Sequence, residues 1–107
     1  MSGIADTSTI DVIAQQTDGS VVLVMTENRE WGADPLQAEQ LKRKINRYTG
    51  YVVEGGLVAD YVQLDGAAVT IRLDCLSEPS GEFARIVEVT TAGLRRLGIG
   101  FTVTPRQ

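Results

Sequence analysis

The chain has 107 residues, enough for one domain and too few for a second hydrophobic core. Hydrophobic residues make up 43% and charged residues 22%, a globular mix rather than a disordered one. A formal net charge of −4 argues against a general nucleic-acid binder, a single cysteine excludes an internal disulfide framework, and the absence of histidine excludes structural zinc.

The first residues, Met1-Ser2-Gly3-Ile4-Ala5-Asp6, lack the basic start and apolar stretch of a signal peptide. The longest apolar run, Val21 to Met25, falls far short of the roughly 20 residues of a membrane span. A cytoplasmic protein that does not enter membranes is therefore expected. Charge is uneven: residues 1–34 hold six acids and one base, whereas Glu39 to Arg47 hold four bases and one acid. Lys42, Arg43, Lys44 and Arg47 read as a solvated helix face.

Ile10 to Gln15 partly alternates and reads as a strand. It is followed by Asp18-Gly19, a pair suited to the positive-φ positions of a tight hairpin. The return strand, Val21 to Thr26, is apolar almost without a break, which implies burial on both faces. A polar loop through Trp31 and Gly32 leads to Asp34-Pro35 and Gln37. This is a helix-start pattern in which Asp34 caps, Pro35 takes the first position and Gln37 reaches back. Ala38, Leu41, Ile45, Tyr48 and Val52 then share one helical face, and Gly55-Gly56 ends the helix, with Gly50 weakening its last turn. Leu57 to Asp65 is a short helical turn or a packed loop.

Val69, Ile71, Leu73 and Cys75 alternate with Thr70, Arg72 and Asp74 in a half-buried strand. Ser77 to Gly81 is a turn. Phe83, Ile86, Val87, Thr90, Leu94 and Leu97 form the inner side of a second helix, which Gly98 stops. Ile99 to Thr104 is a last strand, with Ile99, Phe101 and Val103 inward. The order ββαβαβ, with right-handed crossovers, predicts an α+β two-layer sandwich: a four-stranded mixed sheet in order 1-2-3-4 with two helices on one face. Val22, Val24 and Ile13 then need cover on the second face. That cover would come from the Leu57–Asp65 segment or from another copy of the chain, and a homodimer is favoured.

Candidate chemistry is sparse. Without histidine neither a Ser-His-Asp nor a Cys-His arrangement is possible, and no phosphate-loop motif occurs. No catalytic residue, metal ligand or cofactor is expected. Ligands of open parallel sheets bind beyond the carboxyl ends of the strands. That edge would gather Glu27, Asn28, Arg29, Glu30 and Trp31 after the second strand, Asp74, Cys75, Ser77 and Glu78 from the third, and Arg106 from the tail. The helix starts at Asp34 and Ser80-Gly81 point there too, with amides able to hold an anion. Glu27, Arg29, Glu30, Trp31, Asp74, Ser77 and Glu78 are the candidate ligand- or partner-binding residues. The competing reading makes Asp34 and Ser80 caps, the loop a wet surface and Trp31 a lid on the core. Cys75 continues an inward series and reads as a buried hydrophobe rather than a nucleophile.

Ile10-Asp11-Val12-Ile13, Asp18-Gly19, Val22 to Thr26, the loop through Trp31, Lys44-Ile45-Asn46 and Ile71 to Cys75 together resemble a group of small bacterial proteins classed as a domain of unknown function. The resemblance implies a bacterial cytoplasmic protein and carries over no catalytic or binding residue. Two functions remain. One is a non-catalytic interaction or regulatory module that meets a protein partner; the other is a small-anion binder or enzyme using strand-end carboxylates.

Overall fold

The computed structural model describes residues 3–106, so Met1 and Ser2, on which part of the signal-peptide expectation rests, lie outside the described residues. Four strands, β1 (Val12–Gln15), β2 (Val21–Glu27), β3 (Val69–Cys75) and β4 (Ile99–Pro105), form one sheet in order β1-β2-β3-β4. The β1–β2 pair is antiparallel, and β2, β3 and β4 run parallel. Two long helices, α1 (Gln37–Val53) and α3 (Gly81–Arg96), make the crossovers, with a short α2 (Gly56–Asp60) and a 3-10 turn (Val62–Leu64) between α1 and β3. This is the expected α+β fold, and the Leu57–Asp65 stretch is helical.

Alternation decides the layers. Val21, Leu23 and Met25 of β2, Ile71 and Leu73 of β3, and Ile99 and Phe101 of β4 point into one buried cluster. Against them pack Leu41, Ile45 and Tyr48 of α1 and Phe83 and Leu94 of α3, recurring at helical spacing. Leu97, expected inward, is exposed because it follows the last turn of α3 at the C-cap position. Ile4 also enters the cluster: its amide donates to the Thr26 carbonyl at 3.1 Å, laying the N-terminal segment beside the end of β2 that the shorter β1 leaves free.

The second face differs from expectation in two ways. Ile13 pairs with Leu23 and lies on the helix side, and Leu57 and Leu64 also join the helix-side core, so the Leu57–Asp65 stretch does not cover the open face. Val22 and Val24 stand on that open face yet are only 8% and 7% exposed. In register, Val12 and Ala14 flank them on one side and Thr70 and Arg72 on the other, which shields them within the plane of the sheet.

The start of α1 also departs from the expected cap. Its N-cap is Leu36, without a side-chain cap bond. Asp34 forms a turn instead: its Oδ1 accepts from the Leu36 amide at 2.7 Å and its carbonyl from the Gln37 amide at 3.0 Å. Gln37, buried, turns toward the loop rather than back to Asp34. At the other end Gly55 adopts φ +89, the left-handed geometry that stops α1 where the glycine pair predicts.

Candidate functional site

In the parallel register Glu27, Cys75 and Pro105 end their strands side by side, so the loops after β2 and β3 and the tail after β4 meet at one edge. Glu27 continues the inward series of β2 and is 2% exposed. Burying a carboxylate there is tolerable only if its oxygens are bonded. Four donors serve them: the Arg29 amide at 2.8 Å, Arg29 Nε at 3.0 Å, Arg29 Nη2 at 2.8 Å and Gln37 Nε2 at 3.0 Å. Arg29 Nη2 also donates to Gln40 Oε1 at 2.9 Å, and Gln37 Nε2 to the Glu30 carbonyl at 3.2 Å. The Gly32 amide donates to Gln37 Oε1 at 2.7 Å. The Glu27–Gln37 bonds thus fix the loop to the first turn of α1.

Trp31 ties this loop to the next one. Its Nε1 donates to the Ser77 carbonyl at 2.9 Å, and its ring lies 4.8 Å from that of Phe83, centroid to centroid. Ser77 Oγ donates to Glu30 Oε2 at 3.3 Å. Glu27, Arg29, Glu30, Trp31 and Ser77 are therefore one connected group. Asp74 is not part of it, for it lies on the open face and accepts from Arg72 Nε at 2.8 Å. Glu78 is exposed beside a depression of about 230 Å³ that includes Val87, Glu88 and Val103, and Asn28 and Arg106 are exposed.

The arrangement has little chemistry to offer a ligand. Glu27 and Arg29 neutralise each other, and the amides of Leu36 and Gln37 are occupied by Asp34. At the start of α3 the amides of Phe83 and Ala84 turn to the Ser80 carbonyl at 3.1 and 3.4 Å. Depressions of about 470, 400, 370 and 230 Å³ mark the surface, and none is lined by Glu27, Arg29, Glu30, Trp31, Asp74 or Ser77. Among the described residues no three Cys, Asp or Glu side chains gather in a way that could hold a metal ion.

Cys75 is buried and free. Burial, followed by the negative charges of Glu78, Asp74 and Glu27, pushes its thiol up to about 11 from 9.0. Near neutral pH this leaves about a hundredfold less thiolate than an unperturbed thiol would have. A disulfide reagent at pH 8 is expected to label the native protein slowly and the urea-unfolded protein at once; fast native labelling would show that the β3 end opens.

A second polar centre escapes sequence reasoning. Lys44, expected on a solvated face with Lys42, Arg43 and Arg47, is 0% exposed. Its Nζ donates to the Asp6 carbonyl, to Thr9 Oγ1 at 3.2 Å and to Asp11 Oδ1 at 3.2 Å, and it lies 5.7 Å from the centre of the Tyr48 ring. Tyr48 donates its hydroxyl to the Val24 carbonyl at 2.7 Å and accepts from the Asp11 amide at 3.0 Å; burial pushes this phenol well above its usual range. The signal was positional. Leu41, Lys44, Ile45 and Tyr48 are spaced three, one and three apart, so Lys44 sits in the middle of the apolar stripe. Together these groups fasten the N-terminal segment to α1.

The geometry defines a two-layer α+β domain whose polar clusters are internally satisfied. Across residues 1–107 the chain matches the model described as Family of unknown function (DUF6572), and it belongs to that family. No curated protein and no solved structure matches it. No helix among the described residues is long and apolar enough to cross a membrane.

Proposed function

We propose that the protein is a non-catalytic interaction module that pairs with a second copy of itself and through that assembly serves a protein partner. The observation that supports this reading is the use of the strand-end groups. The edge where a sheet of this topology builds ligand sites is filled by Glu27, Arg29, Gln37 and Trp31 bonded to one another and to nearby backbone. The open sheet face, by contrast, carries Val12, 49% exposed, next to exposed Ala14. A two-fold axis through this face would bring the same patch of each copy together. A bacterial cytoplasmic setting without nucleic acid belongs to the same proposal, supported by the free buried thiol and the net charge of −4.

Native mass spectrometry of freshly purified protein tests it. The expected species has twice the 11.6 kDa chain mass and carries no small molecule. Val12→Asp should return it to a monomer with unchanged circular dichroism, since half-exposed Val12 tolerates a charge when the copy is absent. Val22→Asp would not discriminate, because a charge at an 8% exposed position destabilises the monomer as well. A monomer of native sequence, or a retained ligand mass lost on Arg29→Ala, would overturn the proposal.

A further inference from the structure

The sheet ends at β4, and one bond shows which backbone groups of that strand are free. The Arg106 amide donates to the Cys75 carbonyl at 2.9 Å, so the even-numbered residues of this stretch turn their backbone toward β3. A residue's N–H and C=O point to the same side of a strand, and neighbours alternate. Ile99, Phe101 and Val103 therefore each turn an amide and a carbonyl to the outside, where no strand follows among the described residues. Pro105, next in that series, has no N–H to leave unpaired. Among protein segments, an extended one matches such a row group by group.

Two depressions follow the same flank on its helix side. One, about 370 Å³, lies between the Ile99 to Thr102 stretch and Thr91 and Arg95 of α3. The other, about 230 Å³, lies where Val103 meets Val87, Glu88 and the turn at Glu78. On α3, Glu88, Thr91 and Arg95 follow at intervals of three and four, on the side opposite Glu82, Ile86 and Val89, which line the depression shared with α1. Ile99 and Val103 are about 13 Å apart at about 3.3 Å per residue, and a strand laid beside them presents its own side chains at the same interval. The charges at the two places are opposite and unspent. Arg95 at one and Glu78 and Glu88 at the other are exposed, and none of them is in an ion pair among the described residues. A second copy would not fill these places with its own β4, which carries no charge and whose Ile99 and Phe101, 4% and 7% exposed, are committed to their own core. We infer that β4 takes an extended segment of a partner protein as a fifth strand, antiparallel because that ladder is the more stable per residue. The segment sets a basic side chain toward Glu78 and Glu88, an apolar one beside Phe101 and an acidic one toward Arg95, in that order from its N-terminus. This rests on the interaction-module reading but not on the dimer, which uses the open face.

The probe is a synthetic peptide of about ten residues, enough to span β4, whose centre reads lysine, threonine, valine, threonine, glutamate. Added to the isotope-labelled full-length protein, it is expected to slow hydrogen exchange of the Ile99, Phe101 and Val103 amides about tenfold or more. Gly100 and Thr102, whose amides already face β3, are expected to stay as they were. A peptide with lysine and glutamate exchanged should bind about tenfold more weakly by fluorescence anisotropy, since both ends then meet like charge. Arg95→Glu should weaken the first peptide about fivefold and favour one in which lysine replaces the glutamate. Arg95 is exposed, so circular dichroism and native mass are expected to match the parent chain. No added protection at about 1 mM peptide would overturn the inference. Equal binding of the exchanged peptide, or binding indifferent to Arg95→Glu, would do the same. Protection of these amides in the free chain that rises with protein concentration would put a second copy on β4 and also overturn it. Peptide-dependent protection in a parent chain that is monomeric would support the strand site and overturn the dimer alone.

Discussion

Replacing Lys44 with methionine is expected to lower the stability of the fold by about 3–5 kcal/mol, read from urea unfolding. Methionine keeps most of the length and volume of the lysine stem, so packing against Tyr48 is largely retained. What is lost is the cation at the centre of a closed polar site, where Lys44 is 0% exposed and the Asp11 side chain 8%. The Asp11 carboxylate would keep its bond from Thr9 Oγ1 at 2.9 Å but lose its ion pair at 3.2 Å. A buried charge without its partner costs more than the pair contributed. Against a typical total of about 5–15 kcal/mol, such a loss brings the domain close to unfolding. Asp11→Asn added to Lys44→Met should restore part of the loss, because the double variant leaves no unpaired charge. If the single variant instead unfolds within about 1 kcal/mol of the parent, water reaches Asp11 and the site is not closed.

Glu27→Leu is expected to cost about 2–4 kcal/mol, since four donors lose their acceptor at once. The donors do not suffer equally. Arg29 is about one-third exposed and can turn its guanidinium to water, but buried Gln37 has no such escape. Glu27→Gln, which keeps one acceptor oxygen and the side-chain volume, should cost less. For a domain of this size the leucine variant should melt about 10–20 °C lower. The loop from Asn28 to Asp34 should also lose order, seen as faster amide hydrogen exchange. A melting temperature within about 3 °C of the parent would mean that the loop rearranges around Gln37 without the carboxylate.

The two centres show where sequence patterns suffice and where they fail. Period-two alternation at Val69, Ile71 and Leu73, and at Ile99 and Phe101, placed both strands and the side each residue faces. The glycine pair at 55 and 56 marked the end of α1, and right-handed crossovers supplied the sheet order. Those signals are local or topological. The face of Ile13 was misplaced because a register of four residues depends on the hairpin, not on composition. The Asp34 cap failed because an aspartate that precedes proline can close a turn on Leu36 as readily as it caps a helix. Gln37 then served Glu27 and Gly32, partners five to ten residues away that no short motif records.

For the candidate site, sequence topology gathered Glu27, Arg29, Glu30, Trp31 and Ser77, and the structure places them together. It also gathered Asp74 and Glu78, which the pleat and the turn direct elsewhere. Which of two adjacent strand residues faces the helices separates Glu27 from Asp74: the odd positions of β2 point inward, and Asp74 lies beside Thr26 on the other face. Lys44 was legible in principle from the middle of its stripe. A lysine there can snorkel to solvent unless a carboxylate comes to it, and Asp11 lies 33 residues earlier.

The two borders of the sheet are unlike. β1 is four residues long, and Ile4 occupies the neighbouring stretch of β2, so that border offers little backbone to a newcomer. The β4 border runs seven residues, Ile99 to Pro105, without one charged side chain. A sheet with two receptive borders can recruit chains without limit, as fibrils do. Here a chain that met another β4 to β4 would spend its only receptive border in doing so, leaving blunt β1 borders at both ends. Growth of such a pair through the sheet would therefore stop at two chains, with the brevity of β1 as the chain stopper.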